Sequence, residues 1–191
     1  MKAGKFLTFN RRALNVALAS ALALAGTGLV SNVYAAVVSS TATATVIAPI
    51  AITAPVVLSF GKFAPGAGGS VTISNSGART GTGVILSSTS STQTAARFDV
   101  TGEASTTYAI THSGVTALTG ISGAALTGPQ TMALAKTSDL TGANVTTGNA
   151  ATGTLGAGSA QSIFVGGTLT VGATQAAGVY TGAVTVTVEY N

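Results

Sequence analysis

The sequence predicts an all-β protein, an antiparallel sandwich of short strands that follows a cleaved signal peptide. Three observations favour this class: polar and apolar residues alternate with a period of two, glycine-rich clusters separate the alternating stretches, and the helical period is absent after residue 36. Successive side chains of a strand point to opposite faces, so this alternation is typical of a strand with one buried face. Only 6% of the residues are charged and cysteine is absent, which argues against a charged disordered chain and a disulfide scaffold.

Residues 1–35 have the organisation of a secretory signal peptide. Basic residues precede an apolar stretch, 13–30, and the small residues Val33 and Ala35 stand at the two positions that a signal peptidase reads. The alternative is an uncleaved membrane anchor, but polar residues and glycines interrupt the apolar stretch. We therefore expect the mature protein to begin at Ala36 and to be exported to the periplasm, the cell surface or the medium.

Loss of the signal peptide makes the chain electrically neutral. Four of the eight basic residues lie in residues 1–35, which contain no acidic residue. The charged residues that remain are Lys62, Arg79, Arg97, Lys136, Asp99, Glu103, Asp139 and Glu189. The formal net charge of +4 therefore belongs to the precursor, and no basic patch is left to bind nucleic acid or an anionic membrane surface.

Alternation is clearest at the two ends of the predicted single domain, residues 36–191. Every even position from 42 to 54 is apolar. The apolar positions at the other end, which share one face of a strand, are Val184, Val186, Val188 and Tyr190. Further strands are predicted at residues 56–60, 70–74, 83–88, 97–101, 106–111, 131–136, 162–165 and 168–171. Glycine, serine and asparagine clusters punctuate them, and Gly166-Gly167 is predicted to be the turn between the last two.

Two stretches, 112–129 and 138–160, are so rich in glycine that no strand is predicted in them with a defined boundary. Many short strands with glycine turns favour a sandwich with Greek-key connections. An outer-membrane barrel also has alternating strands, but it carries aromatic girdles at both interfaces. The aromatic residues of this chain do not recur strand by strand, which argues against the barrel.

Few side chains could perform chemistry, and no catalytic, cofactor-binding or metal-binding residue is predicted. His112 is the one histidine, and the G-x-S-x-G turn of a serine nucleophile is absent, so we interpret it as a polar residue at a strand end. On that interpretation, His112→Ala leaves stability and function nearly unchanged. Asp99 and Glu103 have a spacing that could place two carboxylates beside a groove, but no aromatic cluster accompanies them, so solvated turn acids are expected. The protein is therefore predicted not to be an enzyme.

Residues 178–182, Gly-Val-Tyr-Thr-Gly, lead into an alternating Val/Thr strand that ends with Tyr190 and Asn191. This stretch resembles the end of bacterial chaperone–usher pilins of the spore-coat-U and archaic fimbrial type. Residues 47–65, together with Gly-Gly-Ser-Val at 68–71, resemble the small exported bacterial proteins of domain-of-unknown-function family 4402. The resemblance implies an immunoglobulin-like pilin fold, assembly through a donated strand, and a periplasmic chaperone and an outer-membrane usher as partners.

Two functions from different classes are left open. The first is a fimbrial, pilus-like or cell-surface structural subunit that assembles with itself or with a related subunit, because uncovered edges of a neutral β protein invite strand pairing. The second is a monomeric periplasmic or surface module that binds a sugar or a small apolar ligand.

The structural role of residues 36–53 bears on the choice between the two functions. This segment follows the cleavage site, alternates, and contains Pro49, which cannot donate a ladder hydrogen bond and so suits an edge or terminal strand. It is predicted to be a strand that can be donated to a neighbouring subunit, where main-chain bonds give affinity and side-chain pockets give specificity. The alternative is the first strand of its own domain, which needs the same pattern.

Overall fold

The computed structural model of the chain describes residues 35–122 and 130–191, without the side chains of residues 121 and 122. Apart from Ala35, the predicted signal peptide lies outside these residues. The described residues form antiparallel β-strands and no helix, so the predicted all-β class is confirmed. Accordingly, this part of the chain offers no helix of the length and apolar character that crossing a membrane requires.

The described part of the chain contains thirteen strands. They are β1 (Ala51–Val56), β2 (Phe63–Ala64), β3 (Gly69–Ile73), β4 (Arg79–Thr82), β5 (Ile85–Leu86), β6 (Ala96–Thr101), β7 (Thr107–Gly114), β8 (Ala117–Ser122), β9 (Thr131–Asp139), β10 (Thr152–Thr154), β11 (Ala160–Val171), β12 (Val179–Thr181) and β13 (Val184–Tyr190). Most are short, as the frequent glycine turns predict, whereas β11 has 12 residues.

The largest sheet has eight strands and is strongly curled into a half-barrel. Its main order is β1-β6-β11-β9-β8-β12, and β3 and β4 extend it beside β11. The long strand β11 pairs with β9 along one side, and on its other side it pairs first with β6 and then with β3. β11 is therefore the central strand of this sheet, with β9 on one side and both β6 and β3 on the other.

A second sheet has the order β10-β7-β13, and β2 and β5 form a short two-stranded ladder. The eight-stranded sheet and the second sheet share a first core cluster, formed by Ala96, Phe98, Val100, Tyr108, Ile110, Leu155, Ile163, Val165, Val186 and Val188. A second core cluster is formed by Phe60, Val71, Ile73, Met132, Leu134, Leu169 and Val171. Each large apolar side chain buried in this way contributes about 1.5–3 kcal/mol.

The continuity of β11 corrects the prediction of a turn at Gly166-Gly167. The two glycines lie inside one strand, at the point where its pairing changes from β6 to β3. A Cβ atom on Gly166 would lie 2.3 Å from the carbonyl oxygen of Ile73, so the close approach of β3 leaves no room for a side chain. The Gly166 amide donates to Oδ1 of buried Asn75 (2.9 Å). Glycine is needed at position 166 because the backbone of β3 leaves no space for a side chain, and not because the chain reverses there.

Other boundaries also differ from the sequence prediction. Of the predicted strand 56–60, Val56 ends β1 and residues 57–60 do not form a strand; one isolated bridge, between Ser59 and Thr94, links them to a neighbour. β7 continues to Gly114, so His112 lies within a strand and not at its end. β8 and β10 occur where the sequence predicts no strand, since tertiary pairing with β9 and β7 compensates for their weak alternation.

Candidate functional site

The acidic side chains of the described residues do not gather into a chemical site. In this part of the chain, no three His, Asp or Glu side chains are grouped so that they could hold a metal ion. Asp99 accepts hydrogen bonds from Arg97 Nη2 (3.0 Å) and Ser162 Oγ (2.7 Å), whereas Glu103 Oε2 accepts one from the Ala48 amide (3.0 Å). Each carboxylate therefore has its own partners, and the two do not share a hydrogen-bonded site.

His112 links strands of the two sheets. Its Nε2 atom lies 3.0 Å from the carbonyl oxygen of Ala150 and 2.9 Å from Oγ of the buried Ser138. A carbonyl oxygen can only accept, so the contact with Ala150 is a hydrogen bond in the tautomer that carries the proton on Nε2. The Ser138 hydroxyl also accepts a hydrogen bond from the Ala150 amide (2.9 Å). A protonated Nε2 cannot remove a proton from Ser138, so the geometry is that of a structural link.

An apolar groove lies between residues 58–65 and residues 175–180. It has a volume of about 620 Å³. Leu118, Met132 and Leu169 line it from strands of the curled sheet, and three aromatic side chains also line it. These aromatic residues are Phe60, Phe63 and Tyr180. The groove is shaped by apolar and aromatic side chains, and it can therefore hold apolar groups.

β13 lies at the edge of the second sheet, and its outer side is open among the described residues. The Ala183 carbonyl accepts from the Val115 amide, and the Asn191 amide donates to the Thr107 carbonyl, so the backbone of the odd-numbered residues faces β7. In an antiparallel ladder the alternate residues point their N–H and C=O groups the other way. The backbone groups of Val184, Val186 and Val188 therefore face outwards and can receive another strand.

The groove and this open edge are linked along the chain. Along one wall the chain runs from Tyr180 in the groove to Val184 at the start of β13, and along the other it runs from β1 to Leu58. Leu58 and Val184 each pack against both core clusters. On each side, the chain therefore crosses from one core cluster to the other at one of these two residues. We use the term acceptor site for the groove together with the outer edge of β13.

The N-terminal part of the described chain, unlike the acceptor site, is an exposed segment without sheet pairing. Residues 35–50 form no strand, and β1 begins only at Ala51, so the last part of the predicted donor segment 36–53 pairs with β6 of its own domain. Val37, Val38 and Val46 are 89%, 96% and 95% exposed. This segment therefore presents apolar side chains to solvent, although from residue 42 onwards its apolar residues alternate in the pattern of a half-buried strand.

A network of three hydrogen bonds lies at Ala48, the root of this segment, and two of them bind its backbone. The Tyr190 hydroxyl donates to the Ala48 carbonyl (2.9 Å) and accepts from the Glu103 amide (2.6 Å), and the Ala48 amide donates to Glu103 Oε2 (3.0 Å). A Cβ atom on Gly102 would lie 2.2 Å from the Tyr190 hydroxyl oxygen, so glycine makes room for this arrangement. We call Tyr190, Glu103 and Ala48 the root clamp.

A family model for a domain of unknown function (DUF4402) matches residues 50–190, from the residue before β1 to the last residue of β13. The chain belongs to this family. The resemblance to family 4402 is thereby confirmed, and the likeness to pilins stays a prediction. Comparison of this DUF4402 protein with curated proteins and with solved structures gives no match. The matched residues include the acceptor site and begin directly after residues 36–49.

Sequence reasoning pointed to both partners of the site but missed how they are built. The alternation of residues 42–54 and of the C-terminal strand is visible in the sequence. The groove walls and the root clamp are not, because they bring together residues far apart in the chain, such as Ala48 and Tyr190. The one available signal was a tyrosine at the end of a strand of valines and threonines.

Proposed function

We propose that this DUF4402 protein is an exported structural subunit of a bacterial filament or surface layer, and that its copies join by β-strand addition. In this proposal the acceptor site of one copy receives residues 36–47 of another copy or of a related subunit. The observation that carries the proposal is the presence, in one chain, of an open strand edge beside an apolar groove and of an exposed alternating segment. Main-chain hydrogen bonds would supply affinity, and the groove would select the side chains.

The lengths of the two elements support the proposal. Residues 36–47 and the wall formed by residues 179–190 have the same number of residues. At about 3.4 Å per residue, each extended segment would span about 40 Å. Ala42, Ala44 and Val46 would face the core from one side of the inserted strand, while the intervening threonines would face solvent.

The resemblance to chaperone–usher pilins supports the remaining parts of the proposal. The two sheets that share the first core cluster would form an immunoglobulin-like sandwich with a C-terminal edge strand at the acceptor site. The signal peptide, residues 1–35, would export the subunit. A periplasmic chaperone would cover the open edge before assembly, since uncovered edges aggregate, and an outer-membrane usher would release the subunit to the surface.

A pair of neighbouring substitutions tests the strand addition. Val46 and Thr45 are both exposed in the subunit, so an aspartate at either position leaves the subunit folded. Only residue 46 would enter the groove, where an unpaired charge is costly. We expect the wild type and Thr45→Asp to form a ladder on native gels of the secreted protein, and Val46→Asp to run as a monomer. Equal ladders from both variants would contradict the proposed face, and a monomeric wild type at high concentration would contradict the proposal itself.

A second function, a monomeric binding module, is favoured by one observation, the aromatic lining of the groove. Concave apolar sites with aromatic walls are the usual setting for small ligands. This alternative expects a sharp monomer whose melting temperature rises with a sugar or a small apolar compound. It also expects Thr45→Asp and Val46→Asp to behave alike, since neither residue lines the groove.

A further inference from the structure

We infer that the root clamp directs residues 36–47 to a second copy of the chain and prevents them from folding back onto β13 of their own chain. This inference rests on the proposed function, and it names Tyr190 and Glu103 as the positioning residues. It also assigns a direction to the assembly. The argument depends on where Ala48 is held, on which of its backbone groups are occupied, and on the direction in which β13 runs.

The position of the clamp places the root of the segment at the C-terminal end of β13. Tyr190 is the last residue of that strand, and its hydroxyl group binds the Ala48 carbonyl. β1 begins three residues after Ala48 and runs away from this end, paired with β6. A segment that folded back from Ala48 along its own β13 would therefore run parallel to β13.

Parallel pairing would be an exception in this fold. Every ladder among the described residues is antiparallel, and parallel pairs are slightly less stable per residue. A strand from a second copy is free to approach β13 in the antiparallel direction. In that direction Val46 lies near the groove, and Val37 lies near the Tyr190 end of the receiving copy.

The clamp also removes the hydrogen bonds that a reversal of the chain would use. A tight turn is closed by a backbone carbonyl and an amide three residues later. Both backbone groups of Ala48 are already bound, the carbonyl to Tyr190 and the amide to Glu103. Pro49 has no amide hydrogen, and it favours an extended conformation for Ala48. With the clamp closed, a turn at this point lacks partners, and the segment stays available to a neighbour.

The consequence is a head-to-tail assembly. Each copy gives a strand from the end that carries the clamp and receives one at the acceptor site. The two surfaces are different, so the contact is heterologous and does not close on itself unless the rotation between copies allows a ring. Opening the clamp would instead favour a self-complemented monomer.

Pairs of introduced cysteines distinguish the two arrangements, because the chain contains no cysteine of its own. Ala177 is exposed and lines the groove, which makes it a suitable position for the acceptor cysteine. In the full-length exported protein, Val46→Cys with Ala177→Cys reports antiparallel donation and should give a covalent ladder. Val38→Cys, on the same face of the segment as Val46, with Ala177→Cys reports folding back and should give a closed monomer that migrates faster on a denaturing gel.

The two pairs are combined with Tyr190→Phe, with Glu103→Ala and with Glu189→Ala as the control. Glu103→Ala removes the acceptor of the Ala48 amide, and Glu189→Ala makes the same change of side chain on the exposed face of β13. With the clamp intact and in the control we expect the ladder from the Val46 pair and little closed monomer from the Val38 pair. Either clamp variant should raise the ratio of closed monomer to ladder by about five- to tenfold, the effect of losing one or two hydrogen bonds.

A general loss of stability would lower the yield of folded protein without moving this ratio. The inference is wrong if the clamp variants keep the ratio of the control, or if the Val38 pair already gives the closed monomer with the clamp intact. A Val46 pair that forms no disulfide, in chains that still form ladders on native gels, also contradicts the inference while the proposed assembly stands. If neither pair reacts and the wild type is monomeric, the proposed function and the inference both fail.

Discussion

The fold alters the ionisation of Tyr108. Its side chain is fully buried in the first core cluster, and its hydroxyl donates to Gln161 Oε1 (2.8 Å). Burial penalises the charged phenolate and raises the pKa of Tyr108 above the ordinary value of 10.0. In the unfolded chain the same group loses its proton at the ordinary pKa. The contribution of Tyr108 to stability is therefore complete below about pH 10 and is lost as the pH rises towards its folded pKa.

Replacing Tyr108 by phenylalanine should separate this alkaline effect from the hydrogen bond. We expect Tyr108→Phe to lower the free energy of unfolding by about 1 kcal/mol at neutral pH, because Gln161 Oε1 loses a donor. Above about pH 10, however, its stability should fall less steeply than that of the wild type. Denaturant unfolding at a series of pH values measures both effects. Tyr180→Phe, which keeps Tyr108, is the control, and parallel pH curves for wild type and Tyr108→Phe would contradict the argument.

His112 now has a structural role that the sequence does not reveal. The sequence predicts that His112→Ala leaves stability nearly unchanged, but the ring binds Ala150 and the buried Ser138. Its removal leaves buried polar atoms with fewer partners, so we expect a loss of about 1–2 kcal/mol in the free energy of unfolding. Assembly on native gels should be unchanged for the folded variant. His112→Gln, whose amide can still donate, should recover part of the stability, and no loss at all in His112→Ala would support the sequence-based expectation.

At the scale of strands, the sequence predicts those elements whose own residues alternate. The strands at 69–73, 96–101 and 184–190 are close to their predicted positions, since one face of each is buried. β8, β10 and β12 are not predicted as strands, because their residues alternate weakly and their neighbours hold them. The error in β11 has a different cause: a glycine pair is typical of a turn, and only the fold reveals the backbone that passes beside it.

Gly166 provides the test of this explanation for β11. A methyl group on Gly166 would meet the Ile73 carbonyl oxygen at 2.3 Å, and a rigid backbone cannot move aside cheaply. We expect Gly166→Ala to lower the free energy of unfolding by about 3 kcal/mol. Gly172→Ala is the control, since its nearest neighbour would be Gln175 Oε1 at 3.8 Å, and it should stay within about 0.5 kcal/mol of the wild type. Equal stability of the two variants in denaturant unfolding would restore the interpretation of Gly166-Gly167 as a turn.

At the scale of the whole molecule, the candidate site depends on contacts that no local pattern encodes. The root clamp joins Ala48, Glu103 and Tyr190 from three separate parts of the chain. The acceptor site similarly depends on the curl of the large sheet, which brings residues 58–65 opposite residues 175–180. The alternating donor segment is predictable because its own residues carry the pattern, whereas its receptor and its anchor are products of the fold.

The balance of charge in residues 36–191 leads to a prediction about assembly. These residues have four basic and four acidic side chains, and the ion pair within the described residues, Arg97–Asp99, lies inside one chain. Strand addition as proposed uses backbone hydrogen bonds and apolar side chains, neither of which salt screens. Raising the salt concentration from about 0.01 M to about 1 M shortens the Debye length from about 30 Å to about 3 Å. We expect the assembly rate, followed by light scattering, to change less than about twofold over this range. A steep fall with salt would mean that complementary charges bring the copies together and that strand addition is not the dominant contact.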